Sequence, residues 1–306
     1  MKGVILAAGK GSRLYPVTNH IPKPLLPLAN RPTLEYAFDR LVDIGVTQIC
    51  LVVGENAEAM RSALGDGSGV GVRLSYALQG EPKGLAHAME CARDFVGADD
   101  FVLYLGDAIY SEPLTEAVQR FSQSGCANLD LVMPVEDPSR FGVANIEGGR
   151  IVKLVEKPAA PESNLAMAGV YFFRAPIWDM LASLQPSARG EYEITDAIQM
   201  LIERGYEVLP SVYQGSWFDT GTLDSFLACS SFLLNGGTLI GPGASVVADV
   251  GSSVCIGAGA IVDCAEVEDS VILPGASVRC QGRIVHSILG GGVESFGDIQ
   301  NEIAYG

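Results

Sequence analysis

The chain has 306 residues, of which 48% are hydrophobic, and its formal net charge is −16. This content predicts a large buried core in one or two domains, and the acidic balance argues against a nucleic-acid partner because most of the surface would repel a phosphate backbone. The apolar runs fall well short of the roughly 18 residues that a membrane span requires, so we expect a soluble cytoplasmic protein without a membrane partner.

About the first 230 residues alternate apolar runs with helix-spaced patterns. Segments 34–43, 56–64, 84–95 and 114–124 are predicted helices, and the predicted buried strands are "GVILAA", "QICLVVG", "RLSYAL", "DFVLYLGD" and "LDLVMPV". Continuously apolar strands separated by helices predict an α/β fold whose mostly parallel sheet is covered on both faces. Ligands bind at the carboxyl ends of the strands in such a sheet.

The stretch "LAAGKGSRLYPVTNHIPKPLLP" (6–27) follows the first predicted strand and concentrates positive charge. The first 34 residues contain no acid, although about four would be expected at the chain-wide rate of 36 in 306, and they contain five cations: Lys2, Lys10, Arg13, Lys23 and Arg31. Backbone N–H groups of a Gly-rich turn can approach phosphate oxygens closely, and Arg13 adds a bidentate cation. The stretch therefore predicts a local anion site.

Two common phosphate-binding motifs do not fit this loop. A dinucleotide fingerprint requires glycine where Leu14 stands and an acid about 20 residues later, where none occurs. A Walker loop requires glycine at Val4 and Ser or Thr at Gly11. The pattern that remains is G-x-G-x-R-L followed by Lys23 in "PKPLLP". Arg13 and Lys23 thus lie on either side of a proline-stiffened segment.

"LQGEPKGLAHA" (78–88) offers Gln79, whose amide could read a base edge, and Gly84 at the start of a helix in which His87 is interpreted as structural. The histidines show no partner pattern for a nucleophilic site, and no G-x-S-x-G motif occurs. The seven cysteines contain no C-x-x-C pair, so neither a disulfide framework nor a zinc site is predicted.

Two isolated aspartates are candidate metal ligands. Asp107 follows the strand "VLYLG", and Asp219 lies in "WFDTGT" (217–222). A hard divalent cation prefers one or two carboxylates together with phosphate oxygens and water, so two converging aspartates would suit Mg²⁺. Each aspartate could equally be a turn or cap residue.

Two further stretches group acidic and basic side chains. In "VEKP" (155–158) Glu156 precedes Lys157, and the two would point to opposite sides of a strand. "PSARGEYEITD" (186–196) places Arg189 and Glu193 near a predicted helix start, where Thr195 or Asp196 could equally be a capping residue.

From about residue 236 the sequence is rich in Gly, Ala, Ser and Val and loses helical patterns. Aliphatic residues recur at spacings of 6, 10, 6, 10, 6 and 6, namely Ile240, Val246, Ile256, Val262, Ile272, Val278 and Ile284. A spacing of six is typical of a hexapeptide β-helix, and the tens are interpreted as rungs with short insertions. We predict two or three coils in a domain at 236–306, used for assembly into a homo-oligomer or for regulation.

Seven motifs occur in order: "GKGSRLYP", "PKPLLP", "QGEPKGLAHA", "LGD", "FGV", "EKP" and "RGEYEITD…WFDTGT". With them the chain resembles the sugar-1-phosphate nucleotidylyltransferases, most closely glucose-1-phosphate thymidylyltransferases of the long type. The resemblance implies a Rossmann-like, mostly parallel nucleotidyltransferase domain at 1–235 and a left-handed β-helix at 236–306. It also implies transfer of a nucleotidyl group from dTTP to a sugar 1-phosphate, glucose 1-phosphate being the first expectation.

The resemblance further implies roles for residues that match its motifs. Nucleotide binding is implied for Leu6, Ala8, Gly9, Gly11, Ser12, Arg13, Lys23, Gln79, Gly84 and Asp107. Sugar-phosphate binding is implied for Leu85, Tyr104, Gly142, Glu156, Lys157, Gly169, Tyr171, Arg189, Glu193 and Trp217. Catalytic roles, around a single reacting phosphorus, are implied for Arg13, Lys23, Asp107, Lys157 and Asp219, and the two aspartates would hold Mg²⁺.

Two positions depart from the family pattern. Ala8 stands where many thymidylyltransferases have glycine, and Ala108 stands where asparagine commonly follows L-G-D, which removes one sugar contact. A UTP-dependent or GTP-dependent transferase is an alternative within the same enzyme class. A hexapeptide acyltransferase, with His286 as its base, and a sensor that has lost catalysis are more remote alternatives.

Overall fold

The computed structural model describes residues 1–306, which form two compact units. The first unit consists of Met1–Gly9 and Ala37–Trp217, and the second consists of Lys10–Tyr36 and Phe218–Gly306. The boundary predicted near residue 235 lies where helices give way to short strands. The division into units instead groups most of the anion loop with the C-terminal segment.

None of the helices is long and apolar enough to cross a membrane.

The helices are α1 Thr33–Asp43, α2 Ala57–Leu64, α3 Leu85–Glu90, α4 Arg93–Val96, α5 Thr115–Gln123, α6 Ile177–Leu181, α7 Ile194–Glu203 and α8 Leu223–Leu233. The strands up to residue 218 are β1 Lys2–Leu6, β2 Pro27–Leu28, β3 Arg31–Pro32, β4 Gln48–Val53, β5 Arg73–Leu78, β6 Phe101–Leu105, β7 Ile109–Tyr110, β8 Asn128–Pro134, β9 Gly142–Glu147, β10 Arg150–Glu156, β11 Leu165–Phe173, β12 Val208–Val212 and β13 Trp217–Phe218.

The sheet of the first unit has a parallel half and a mixed half. Strands β6, β1, β4 and β5 lie side by side in that order and run parallel. Strand β11 pairs antiparallel with β6, β8 and β9, while β10 pairs antiparallel with β9 and β12 pairs parallel with β8. The predicted α/β class is confirmed, and the antiparallel pairs complete a nine-stranded sheet.

The continuous apolar character of the parallel strands reflects burial on both faces of the sheet. Val4 and Leu6 of β1 belong to a core cluster that includes Ala86 of α3 and Ile198 of α7, whereas Ile5 points the other way and is also fully buried. Each buried Val, Leu or Ile side chain contributes about 1.5–3 kcal/mol by leaving water.

The carboxyl ends of the four parallel strands meet at one edge of the sheet. Their register places the last residues of β1, β4, β5 and β6 within one residue of each other. The segments that contain Gly9, Gln79 and Asp107 leave the sheet at this edge. This edge is therefore where a ligand site is expected in a parallel sheet.

The C-terminal part of the second unit is a parallel β-helix. Its strands are β14 Thr238–Ile240, β15 Ser245–Val250, β16 Val254–Ile256, β17 Ile261–Glu268, β18 Val271–Ile272, β19 Ser277–Cys280, β20 Arg283–Val285, β21 Ile288–Gly290, β22 Gly292–Ser295, β23 Ile299–Gln300 and β24 Ile303–Tyr305. Strands β14, β16, β18, β21 and β24 pair in sequence, so the stack extends through five successive strands on this side. This is more than the two or three coils expected.

The coil length explains the spacing of the aliphatic residues. Val246, Val262, Val278 and Val293 pair in one column, so each coil adds 15 or 16 residues there. A spacing of six residues separates aliphatic side chains on neighbouring sides of one coil. A spacing of ten residues passes over the third side and reaches the first side of the following coil. The predicted β-helix is confirmed. The spacings of ten residues, however, do not represent six-residue rungs with insertions.

One carboxyl group is deeply buried in the first unit. Asp130 of β8 is 0% exposed, its Oδ1 accepts a hydrogen bond from Asn128 Nδ2 at 2.8 Å, and its Oδ2 has no partner. Burial raises the pKa of Asp130 to about 8, and the hydrogen bond from Asn128 opposes this only in part. The side chain is therefore largely a neutral acid at pH 7.

We expect Asp130→Asn to stabilise the protein increasingly as the pH rises from about 4 to about 8. In this window the unfolded wild type releases the Asp130 proton while the folded state retains it, so its unfolding free energy falls by up to about 1.4 kcal/mol per pH unit. The amide of the variant cannot ionise, so its unfolding free energy does not fall in this way. Urea unfolding of both proteins at several pH values measures the difference. A difference that does not change with pH would contradict a buried neutral acid.

Candidate active site

The anion loop turns at Gly11 in the second unit. Gly11 has a φ of 65°, and a Cβ there would lie 2.9 Å from Lys23 Cβ and 3.2 Å from Thr18 Cγ2. The Gly11 carbonyl accepts a hydrogen bond from Thr18 Oγ1 at 2.9 Å. Only glycine satisfies both the left-handed backbone and the close approach. The loop is thereby held against the stem of Lys23, a residue that is 8% exposed.

Arg13 and Lys23 converge on the turn that contains Asp219, within the same unit. A Cβ on Gly221 would lie 3.0 Å from Arg13 Nη2, so the guanidinium packs directly on this glycine. Lys23 Nζ lies 3.5 Å from the carbonyl oxygen of Asp219, and Asp219 Oδ1 accepts a hydrogen bond from Gly221 N at 3.2 Å. Three of the residues predicted to be catalytic are thus brought together.

Two residues beside predicted catalytic groups have left-handed backbone. Thr220, which follows Asp219, has a φ of 39° and is fully buried, and Lys157 has a φ of 43°. Positive φ at a non-glycine residue costs on the order of 1–3 kcal/mol and persists only where the surrounding contacts impose it. Strain of this kind is concentrated at functional sites, which supports a role for both turns.

In the first unit, the end of β1 is held by two residues that the sequence analysis missed. A Cβ on Gly54 would lie 2.9 Å from Ala8 O. Asn56 Nδ2 donates to Ala7 O at 3.0 Å, and Asn56 Oδ1 accepts a hydrogen bond from Gly54 N at 3.0 Å. These contacts fix the chain as it leaves β1 toward Gly9. The glycine that ends the apolar run "QICLVVG" is the one sequence signal for them.

Gln79 follows β5, and the orientation of its amide is fixed. Its Nε2 lies 3.3 Å from Gly84 O and 3.1 Å from His87 Nδ1. Because a carbonyl oxygen can only accept, the NH₂ group must face Gly84, and His87 Nδ1 then acts as a second acceptor. The carbonyl oxygen of Gln79 is left to accept a hydrogen bond from a ligand. His87 therefore orients Gln79 in addition to the structural role predicted for it.

Arg189 links three carboxylates in the first unit. Its Nη1 lies 3.4 Å from Glu156 Oε1 and 3.3 Å from Glu193 Oε1, and its Nη2 lies 3.3 Å from Glu191 Oε2. Lys157 Nζ lies 3.6 Å from Glu156 Oε1. Strand β10 ends at Glu156, and the left-handed backbone of Lys157 turns its side chain back. Lys157 therefore lies outside the strand, and the opposite orientation expected for two strand residues does not apply to this pair.

Thr195 and Gly142 complete the surroundings of Glu156. Thr195 Oγ1 donates to Glu156 Oε2 at 3.1 Å. The N-cap of α7 is Glu193, so Thr195 is not the capping residue that the sequence allowed. A Cβ on Gly142 would lie 2.6 Å from Thr195 Cγ2 and 3.2 Å from Glu156 Oε2. Burial raises the pKa of Glu193, and the negative charge of Glu156 acts in the same direction, against the Ser187 hydrogen bond and Arg189.

The two tyrosines predicted to contact the sugar phosphate are almost fully enclosed. Tyr104 is 0% exposed, and its hydroxyl donates to Ala108 O at 2.9 Å, so it supports the turn that carries Asp107. Tyr171 is 3% exposed, and burial raises its pKa. Both hydroxyls are therefore protonated donors at neutral pH.

The remaining predicted residues lie at the ends of elements or at tight turns. Ser12 is exposed and begins a 3₁₀ turn, and Leu85 begins α3. Gly169 lies in β11 with a φ of 84°. The ring of Trp217 meets that of Phe141 edge to face, with centroids 5.3 Å apart.

The predicted metal ligands belong to different units. Asp107 lies in the first unit just after β6, and Asp219 lies in the second just after β13. No group of three or more His, Cys, Asp or Glu side chains could hold a metal ion. One or two carboxylates still fit a hard divalent cation that completes its shell with phosphate oxygens and water. That the two aspartates share one ion stays a prediction.

Comparison with known proteins gives consistent matches. A family model described as nucleotidyl transferase matches residues 2–236. The low-salt glycan biosynthesis nucleotidyltransferase Agl11 of Haloferax volcanii is 39% identical over 95% of this chain and 93% of that protein. A glucose-1-phosphate thymidylyltransferase of Streptomyces griseus is 36% identical over 95% and 92%. A crystal structure titled as a glucose-1-phosphate thymidylyltransferase from Bacillus anthracis, with sucrose, is 37% identical with a TM-score of 0.71 over 76% of this chain and 94% of that chain.

We expect Gly142→Ala to destabilise the protein by about 1–3 kcal/mol, because the added Cβ would push Thr195 away from Glu156. Gly125→Ala is the matched control, since a Cβ at position 125 meets nothing within 4 Å. Denaturant unfolding of the two variants measures the difference. Equal midpoints would show that position 142 tolerates a side chain.

Proposed function

This chain belongs to the nucleotidyl transferase family, and we propose that it transfers a thymidylyl group from dTTP to a sugar 1-phosphate, in the first place glucose 1-phosphate. The observation that carries the proposal is the convergence of Arg13 and Lys23 on the Asp219–Gly221 turn. This arrangement joins two cations to a candidate metal ligand. The relatives named glucose-1-phosphate thymidylyltransferase support the same reaction.

The proposed reaction joins two anions. An oxygen of the sugar phosphate attacks the α-phosphorus of dTTP, a new P–O bond forms, and the bond to the β-phosphate oxygen breaks to release pyrophosphate. The second pKa of a phosphate monoester is about 6, so the attacking group is mostly a dianion at pH 7 and needs no general base.

Charge repulsion is the main obstacle to this attack. Two unit charges 4 Å apart repel by about 4 kcal/mol at an effective dielectric constant of about 20. Arg13 and Lys23 are proposed to offset this repulsion at the triphosphate, and Lys157 at the sugar phosphate. Glu156 and Glu193 offer carboxylate acceptors for sugar hydroxyls.

Gln79 supports an imide base. Thymine and uracil carry a hydrogen on N3, whereas N3 of cytosine is a bare acceptor. Because Gly84 and His87 hold the NH₂ group of Gln79, its carbonyl oxygen is the atom offered to a base. An acceptor pairs with N3–H of thymine or uracil and is mismatched with N3 of cytosine. Uracil presents the same edge as thymine, so UTP is the first alternative, and GTP, whose base has an N1–H donor, is the second.

Mg²⁺ is the proposed cofactor, with Asp107 and Asp219 as its protein ligands. The ion would supply charge stabilisation for the triphosphate. A carboxylate oxygen, unlike a thiolate or imidazole nitrogen, matches the preference of this cation. Both aspartates lie at turns, and the turn of Asp219 also contacts Arg13 and Lys23.

The acyltransferase alternative is disfavoured by the surroundings of its candidate base. His286 Nδ1 lies 2.5 Å from Asp269 Oδ2, and Nε2 lies 2.9 Å from Asp224 Oδ1. Partial burial acts against the charged ring, but the hydrogen bonds to these carboxylates outweigh it and raise the pKa of His286. A ring engaged at both nitrogens is poorly suited to take a proton from a substrate.

Pyrophosphate release, measured with dTTP, UTP, dCTP and GTP against a panel of sugar 1-phosphates, tests the proposal. We expect turnover with dTTP and glucose 1-phosphate in the presence of Mg²⁺, weak turnover with dCTP, and none after a chelator removes divalent ions. Equal rates with dCTP and dTTP would contradict the role assigned to Gln79. Undiminished turnover in chelator, or in Asp107→Ala, would contradict the role assigned to the metal.

We expect Lys157→Ala to raise the KM for the sugar phosphate roughly tenfold or more with little change in the KM for dTTP, because one charged contact to the phosphate is lost. Lys153→Ala is the control, since Lys153 lies in β10 four residues before Lys157 and pairs with Glu162 at 2.7 Å on the surface. Steady-state kinetics with each substrate varied in turn measure both constants. The same KM values in the two variants would contradict the assignment.

A further inference from the structure

The outer surface of the β-helix is buried on one side. Cys255, Val271 and Ile288 alternate with residues that fill the inside of the coil, so their side chains point outward, yet each is 0% exposed. On another side of the coil, outward residues Val247 and Ile261 are 65% and 45% exposed. The first side must therefore be covered by another part of the chain.

The segment Lys10–Tyr36 of the same unit, which contains most of the anion loop, supplies that cover. Asn30 Nδ2 donates to Ile256 O at 2.9 Å, and Cys255 Sγ lies 3.4 Å from Asn30 Oδ1. The 3₁₀ turn Val17–Asn19 contacts β21 and β24. The ring of His20 stacks on that of Tyr305 with centroids 3.8 Å apart and planes within 5°.

These contacts are close in sequence to the residues that bind the anion. His20 lies two positions after Thr18, whose hydroxyl bonds to the Gly11 carbonyl, and three positions before Lys23. The β-helix thus contacts this segment on both sides of Lys23, at His20 and at Asn30. Loss of either contact would remove one of the restraints on the segment that carries Arg13 and Lys23.

We propose that the β-helix positions the nucleotide-binding loop, and that Tyr305 and Asn30 are the positioning residues through which it does so. The proposal rests on the proposed function, since it takes the anion of this loop to be a nucleoside triphosphate. A loop already ordered before binding loses less conformational entropy when the nucleotide arrives. The stacked rings and the Asn30 hydrogen bonds provide that order, and neither Tyr305 nor Asn30 needs to touch the nucleotide.

Calorimetric titration of dTTP and steady-state kinetics on the full chain test this inference. We expect Tyr305→Ala to weaken dTTP binding roughly tenfold, which 1.4 kcal/mol of lost preorganisation would produce, with the KM for the sugar phosphate unchanged. Tyr305→Phe keeps the stacked ring and should retain wild-type affinity. Phe296→Ala is the control, because Phe296 is an aromatic residue of the same β-helix that is 93% exposed.

Asn30→Gly provides a second variant if Tyr305→Ala does not fold, because glycine accepts the φ of 59° found at Asn30 and removes only the side-chain bonds. It should also weaken dTTP binding alone. Wild-type affinity in both Tyr305→Ala and Asn30→Gly, or an equal rise in both KM values, would overturn the inference while leaving the proposed function intact. A wild-type chain that binds none of the nucleotides would instead overturn the proposed function and this inference with it.

Discussion

Fixed positive charge held in an acidic protein is the constraint on which the proposed chemistry depends. The chain carries a net charge of −16, yet Arg13 and Lys23 lie in a segment without acids and converge on one turn. Gly11 and Gly221 make this possible because any side chain at either position would displace a cation. Charges that are placed before the substrate arrives stabilise a transition state without a cost of reorganisation.

The first unit also holds its charged side chains in place before a substrate binds, but it does so with different residues. Parallel strands bring their carboxyl ends to one edge, and the segments that follow them are held by short contacts such as that between Gly54 and Ala8. Arg189 restrains carboxylates that would otherwise repel each other, and burial of Glu193 raises its pKa in that crowded setting. The cluster combines acceptors for hydroxyls with the exposed cation of Lys157, a pairing suited to a phosphorylated sugar.

The β-helix is part of the unit that contains the anion loop, and its sides are not equivalent. One outer side is buried because the segment Lys10–Tyr36 lies on it, with Asn30 and the His20–Tyr305 stack as its polar and aromatic contacts. Another outer side exposes Val247 and a row of charged residues. A module that a sequence pattern alone assigns to assembly or regulation therefore also has a direct structural connection to the candidate site.

The sequence by itself determined the α/β class, the β-helix, the anion loop and the family, because hydrophobic periodicity and ordered motifs are local properties. It also placed Arg13 and Lys23 on either side of a stiff segment. Only the tertiary structure decided that Thr195 bonds to Glu156, that His87 orients Gln79, and that the coil supports the loop. Such contacts join residues whose separation along the chain carries no pattern, and the close approaches that create them depend on packing rather than on propensity.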